Sequence, residues 1–332
     1  MDNRVSQLSQ PIILLSRGDL AGLMPFGAYV QSVAEAFRLH AQGRTVLPAP
    51  MHVPAEAGGF HVKAGGLPTG YVAFKINANF PNNRAVNALP TIQGAILLFN
   101  SKTGSPVALI DSIEITIKRT GAATAVAARH LARPDSRVAT VVGCGEQGRI
   151  QLEALRHVLE LERVFLFDSD PKAAAALASE KTEGLAVEIA SSLRDATLES
   201  DVIVTCTSAK VPFLRPDDVR PGTFIAAIGA DNPEKSEIEP ALMARARVIT
   251  DVTAQAAHMG DLNHAIRAGA MREADVHAEI GEIINGRKSG RANSSEITIF
   301  DGTGVGIQDV AASVRAYELA RERGAGTRVD LG

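Results

Sequence analysis

The chain has 332 residues, 45% of them apolar and 21% charged, an ordinary globular composition with length for two domains rather than one. A formal net charge of −3 supplies no basic face for nucleic acid or for an anionic membrane surface. Two cysteines, Cys144 and Cys206, rule out a disulfide framework and a cysteine zinc site, and the histidines form no ligand pattern, so no metal is expected.

Residues 1–11 are polar and lack the apolar core of a signal peptide, and no stretch is apolar for long enough to span a bilayer; a cytoplasmic protein is expected. Residues 12–15 read as a short strand, followed by Ser16 as an N-cap. Val30, Val33, Ala34 and Phe37 recur at helical spacing between Pro25 and His40. Short apolar segments punctuated by Pro and Gly follow at 45–47, 59–62, 71–76, 95–100 and 107–110, and predict a mainly antiparallel sheet. An Ala-rich helix is predicted over 119–133, closed by Pro134.

Strands at 138–142, 164–167, 187–190, 202–206, 224–228 and 248–252 then alternate with helical patterns. That alternation predicts an α/β fold, a doubly wound parallel sheet of Rossmann type covered by helices. A further strand at 297–300, a Gly-rich turn and a helix through Arg321 close the chain. The expected division is an α+β domain over residues 1–118, completed by 305–332, and a dinucleotide-binding domain over 119–304.

Gly143-Cys144-Gly145-Glu146-Gln147-Gly148 stands between an apolar strand and an amphipathic helix. Three glycines so spaced are weak evidence alone; in this context each has a task. Gly143 permits a tight turn, Gly145 lets backbone approach a pyrophosphate, and Gly148 lets the helix pack closely on the strand. The next strand ends in Asp168, about 20 residues on, where an acid bonds the ribose hydroxyls. No arginine follows it to welcome a 2′-phosphate, so NAD is expected over NADP. Cys144 and Cys206 fall at the ends of neighbouring strands and read as small buried hydrophobes.

Proton transfer commonly accompanies the hydride transfer that NAD serves, which directs attention to ionisable side chains at strand ends. Lys75 interrupts an apolar strand, an expensive place for an ammonium, unless the strand is an edge and the lysine faces solvent. Asp231 follows the strand at 224–228, at the carboxyl end where doubly wound folds bind ligands, or is an ordinary turn residue. Arg119 offers a guanidinium fork suited to a carboxylate or phosphate, or is a solvent-facing helix residue. Asp111 and Glu114 read as helix-capping acids.

These residues fall in a series of motifs. Phe74-Lys75-Ile76-Asn77, Leu89-Pro90-Thr91-Ile92-Gln93-Gly94 and Lys118-Arg119-Thr120 precede the glycine loop; Ile228-Gly229-Ala230-Asp231 and Phe300-Asp301-Gly302-Thr303-Gly304 follow it. In order and spacing the series resembles the ornithine cyclodeaminase/mu-crystallin family over nearly the whole chain. The resemblance implies that Lys75 engages the substrate carboxylate, that Asp231 handles a proton or activated water, and that Arg119 lies between substrate and cofactor. It assigns cofactor contacts to Thr91, Glu146, Gln147, Asp168, Thr207, Lys235, Thr303, Gly304 and the backbone from Ile225 to Ile228. It also implies a homodimer formed through the substrate-domain sheet.

Where relatives place a basic residue beside the substrate carboxylate, this chain reads Pro50-Met51-His52, with Met51 at the expected position and His52 as its partial substitute. No acid for an ornithine side-chain amine stands near residues 59–63. The expectation is an NAD(H)-dependent oxidoreductase at the α-carbon of a small amino or imino acid. The alternatives are ornithine cyclodeaminase proper and a non-catalytic, crystallin-like binding protein.

Overall fold

A computed structural model of the protein describes residues 11–180 and 183–331; most of the polar N-terminal stretch lies outside them. The chain forms two compact units: unit 1 runs up to Arg119 and resumes at Val305, and unit 2 is Thr120–Gly304.

Unit 1 begins with β1 (Ile12–Leu15), α1 (Arg17–Leu23) and α2 (Phe26–Ala41). Ser16 caps α1 as its sequence promised, in a reciprocal capping box with Asp19. Next come β2 (Met51–Ala55), β3 (Gly58–Leu67), β4 (Tyr71–Asn79), α3 (Asn83–Asn87), β5 (Ile92–Asn100) and β6 (Pro106–Asp111). Residues 45–47, expected as a strand, make only an isolated bridge at Val46 with Gly66. The Pro-rich segment after them forms the unexpected β2.

The Ala-rich helix, α4 (Ser112–Leu131), starts seven residues earlier than its alanines suggest. Asp111 Oδ1 accepts from the N–H groups of Ile113 and Glu114, so the expected capping role fixes that start.

Unit 2 runs through β7 (Val138–Val142), α5 (Glu146–Val158), β8 (Arg163–Phe167), α6 (Pro171–Ala178), β9 (Ala186–Ile189) and α7 (Leu193–Glu199). It continues with β10 (Val202–Thr205), β11 (Phe224–Ala227), α8 (Pro240–Arg245), β12 (Arg247–Thr250), α9 (Thr253–Ala256) and α10 (Gly260–Arg267). The last elements are β13 (Ala278–Glu279), α11 (Ile280–Ile284) and β14 (Thr298–Asp301). The chain returns to unit 1 as α12 (Gly306–Arg323) and β15 (Thr327–Val329).

The unit 2 sheet is parallel throughout, in the order β13-β12-β14-β11-β10-β7-β8-β9. The order reverses between β7 and β10, which opens a crevice at their carboxyl ends. Its inner strands read as nearly unbroken apolar runs because both faces are covered, whereas the edge strand β9 is largely exposed. Ile203, Ile225, Ile299, Leu242 and Leu262 form one buried cluster beneath the β10–β14 half.

The unit 1 sheet has the order β15-β1-β6-β5-β4-β3-β2 and is antiparallel except for β1 on β6. Lys75 therefore lies on an interior strand, and the edge-strand reading falls. Side chains alternate between the two faces. Ala73, Lys75, Ile96, Leu98 and Ile110 lie on the face buried beneath α12, against which α2 packs in turn. Phe60, Phe74 and Ile76 lie on the other and stay exposed. A Cβ on Gly306 would sit 2.1 Å from the Ala64 carbonyl oxygen, so only glycine lets the first turn of α12 press onto β3.

Candidate active site

Within unit 1, three side chains of α4 spaced four and three residues apart share one face of that helix and meet the buried side of the sheet. Ser112 Oγ donates to Asn77 Oδ1 at 2.6 Å, Thr116 Oγ1 accepts from Lys75 Nζ at 3.4 Å, and Arg119 reaches α12. Arg119 Nε lies 2.9 Å from Asp309 Oδ1, and its Nη1 donates to Gln308 Oε1 at 2.7 Å. Lys75 Nζ sits 2.8 Å from the other Asp309 oxygen, Oδ2. The side chains of all three charged residues are 6% exposed or less, so the solvent-facing readings of Lys75 and Arg119 both fall.

Burial drives the Lys75 ammonium down to about 7; Asp309 opposes that fall, and the Arg119 and Lys63 cations add to it. Burial also works against the Asp309 charge, yet Arg119 and Lys75 hold its carboxyl below the usual range.

Met51 does not belong to this group. It pairs with Val62, which pairs with Ile76, so its side chain is on the face opposite Lys75 and is 55% exposed. The period-two alternation that removes Met51 puts His52 on the Lys75 side. There its ring centroid lies 4.6 Å from that of His61. Thr91, also of unit 1, precedes β5 and accepts from the Phe80 N–H through its carbonyl.

In unit 2 the glycine loop has the form its sequence suggested. Gly143 has φ +97°, where a side chain is strained, and a Cβ there would crowd the Cys206 carbonyl. Gly145 is the N-cap of α5 and faces open space. A Cβ on Gly148 would fall 2.1 Å from the Gly143 carbonyl oxygen, so glycine is needed for close helix–strand packing. Asp168 stands just past β8; its Oδ2 accepts from Cys144 N at 2.7 Å and its Oδ1 from Asp170 N. Gln147 Oε1 is buried without a hydrogen-bond partner, while Glu146 is exposed and pairs with Arg149. An open backbone approach at the start of a 13-residue helix, an acid at the next strand end and a waiting buried acceptor all fit a dinucleotide.

The other unit 2 candidates gather at carboxyl ends of the same sheet. Ile225 is buried in β11 and Ile228 just beyond it. Asp231 is half-exposed, and its Oδ1 receives Lys235 Nζ at 2.8 Å. Thr303 Oγ1 and Gly304 N both bond the Asp251 carboxylate, at 3.0 and 2.7 Å.

Thr207 is fixed by Glu237, which the sequence reading passed over. Glu237 Oε1 accepts from Thr207 N and Oγ1, and its Oε2 from Thr205 Oγ1 and Gly229 N, tying the ends of β10 and β11 together. Its signal is faint: one acid in a loop, with partners 8 to 32 residues away.

Burial, and then the neighbouring Asp261 carboxylate, lift Glu237 to about 7. The folded state thus binds a proton that the unfolded chain releases above pH 4.5, and stability falls as pH rises from there through 7. Over that window the Glu237 contribution is on the order of 3 kcal/mol. Urea melts of wild type and Glu237→Gln should show the variant's deficit shrinking by that order between pH 5 and pH 8. A deficit independent of pH would mean that Glu237 is ionised throughout.

Burial raises both thiols, Cys144 to about 12 and Cys206 well beyond its usual value. Cys206 Sγ points at the carbonyl oxygens of Val142 and Gly143, so both cysteines act as small buried groups. Among the described residues, no cluster of three or more His, Cys, Asp or Glu is arranged to hold a metal ion. Among them, too, no helix is long and apolar enough to cross a membrane.

The model of the ornithine cyclodeaminase/mu-crystallin family matches residues 13–324. The chain belongs to that family. Among its relatives, an alanine dehydrogenase of Archaeoglobus fulgidus is 36% identical, over 96% of this chain and 98% of the relative. An archaeal alanine dehydrogenase dimer with bound NAD superposes with a TM-score of 0.93 at 36% identity, covering 97% of this chain and 100% of that one. The Δ1-pyrroline-2-carboxylate reductase of Thermococcus litoralis, solved with NADH and L-proline, gives 0.91 at 33% identity over 96% and 100%. In this chain the buried Lys75 and Arg119 share the Asp309 carboxylate.

Proposed function

We propose that the protein is an NAD(H)-dependent oxidoreductase acting at the α-carbon of a small L-amino acid or cyclic imino acid, of the ketimine reductase or amino-acid dehydrogenase type. The carrying observation is the buried pair of cations, Lys75 and Arg119, on a single anion in unit 1, in a family member whose unit 2 fits a dinucleotide. A carboxylate is the simplest ligand for such a charge, and every amino or imino acid brings one.

NAD(H), when bound, supplies or accepts the hydride at the substrate α-carbon. The α5 N-terminus and Gly145 bind the pyrophosphate, with Gly143 shaping the loop. Asp168 takes the ribose hydroxyls and opposes a 2′-phosphate. Glu146, Gln147, Thr207, Ile225, Ile228, Lys235, Thr303, Gly304 and Thr91 complete the cofactor contacts. Lys75 and Arg119 orient the carboxylate, and Asp231 gives a proton to the substrate nitrogen in reduction or removes it in oxidation. Fixed charges around an anionic substrate need no rearrangement during the reaction, which is where electrostatic catalysis gains most.

We also infer a cytoplasmic homodimer. Support comes from the side of the unit 1 sheet on which Phe60, Phe74 and Ile76 are exposed among the described residues, and from the dimeric archaeal neighbour.

The test is purified protein with NADH and a panel of cyclic imines and 2-oxo acids plus amine, followed by NADH absorbance. L-Ornithine with catalytic NAD runs alongside, and light scattering on the same sample reads the mass. NADH loss with an imine supports the reading. Ammonia and proline from ornithine without net NADH change would replace it with cyclodeamination, and a monomeric mass would remove the dimer.

A further inference from the structure

Asp309 touches both cations, yet nothing in the motif series gave it a role. It stands in the first turn of the 18-residue α12, where the helix end favours an anion. Gly306 lets that turn sit against β3. Its two oxygens are divided, Oδ2 to Lys75 Nζ at 2.8 Å and Oδ1 to Arg119 Nε at 2.9 Å. Gln308, the preceding residue, takes a second Arg119 nitrogen, and Thr116 a contact from Lys75. A further charge that bears on Lys75 and Asp309 is Lys63, directly across from Lys75 on β3.

Burying three charges is a poor route to stability, since well-packed apolar side chains of similar volume do as well or better. What such a cluster supplies is placement. A lysine ammonium on its flexible four-carbon stem has rotamer freedom to lose, and so has the stem that carries the planar arginine fork. One carboxylate between them fixes both, and the three groups together keep one positive charge, the complement of one substrate carboxylate.

We propose that Asp309 is the positioning residue of the carboxylate-binding group, holding Lys75 and Arg119 in one fixed fork and keeping Lys75 protonated. The proposal rests on the reading that Lys75 and Arg119 bind the substrate carboxylate.

The test uses Asp309→Asn, Asp309→Glu and Lys75→Met in the full-length protein, with Δ1-pyrroline-2-carboxylate and NADH as probes. One readout needs no turnover: the Cε resonance of Lys75 in lysine-labelled protein, identified by its loss in Lys75→Met and titrated with pH. Removing the Asp309 anion should lower the Lys75 midpoint by about one pH unit. The KM for the imine at pH 8 should rise about tenfold, as expected for a shift of about 1.4 kcal/mol. The KM for NADH should not change, and Asp309→Glu should restore part of the loss.

A folded Asp309→Asn with the wild-type Lys75 midpoint and imine KM would overturn the proposal. If the Asn variant does not fold, the Glu variant decides: its longer side chain must displace the midpoint and the KM, and wild-type values for both would overturn the idea. The two readings fail separately. A Lys75→Met enzyme with a normal imine KM removes the carboxylate reading, and the Asp309 proposal with it. A damaged Lys75→Met beside unaffected Asp309 variants removes the Asp309 proposal alone.

Discussion

Replacing Asp231 with Asn is expected to lower kcat for imine reduction by about 10²–10⁴, the usual contribution of one placed proton donor or acceptor. Asn keeps the shape of the side chain and can still accept from Lys235, but it cannot carry a proton to the substrate nitrogen. Asp231 lies beyond the carboxyl end of β11, half-exposed and 2.8 Å from the Lys235 ammonium, a setting in which a carboxyl group can exchange a proton with a small ligand. NADH binding, read by fluorescence titration, should match the wild type. Unchanged single-turnover rates would show that the proton travels by another route.

The second large effect is expected at Lys75. Exchange for Met fills most of the stem volume, leaves Asp309 with Arg119 and removes one of two carboxylate contacts. The expected loss in kcat/KM is about 10²–10³, or roughly 3–4 kcal/mol, in the range for truncating one member of a buried charged contact. Most of it should appear in KM, because the carboxylate is held alike in the ground state and the transition state.

Lys75 titrates near 7 in the free protein, so its charge is present below that pH and is lost above it. Wild-type imine affinity should therefore weaken as pH rises through about 7, and the Lys75→Met profile should lack that limb. A Lys75→Met variant with the wild-type pH profile would assign the limb to another group.

Much of the fold was legible because its local signals agree. The inner strands of unit 2 are buried on both sides, so they read as apolar runs, and Gly143 and Gly148 are demanded by backbone geometry and close packing. Lys75 was visible for the opposite reason, as one charge set against the pattern of its strand. The misses have physical causes too. β2 follows a proline-rich turn and has its five residues exposed, so its sequence carries no burial pattern. Met51 was drawn in by its neighbours in sequence, whereas a strand sends adjacent side chains to opposite faces.

Asp309 and Glu237 are harder cases. Each is a single acid whose meaning depends on partners brought by the fold, and Arg119 is 190 residues from Asp309. A charge among Val305, Ile307, Val310 and Val314 was nonetheless a readable signal, of the same kind that exposed Lys75.

The return of α12 to unit 1 sets an order of events for a growing chain. Unit 2 is one continuous stretch and can fold as soon as it has been made. Unit 1 cannot, because the helix that covers its sheet is made only after unit 2. Until residues 305–323 are available, Lys75 and Arg119 have no counter-ion between them, and two like charges face an unfinished core. The segment that closes that core also delivers the anion those cations need, so the carboxylate fork can be assembled only after unit 2 has been made.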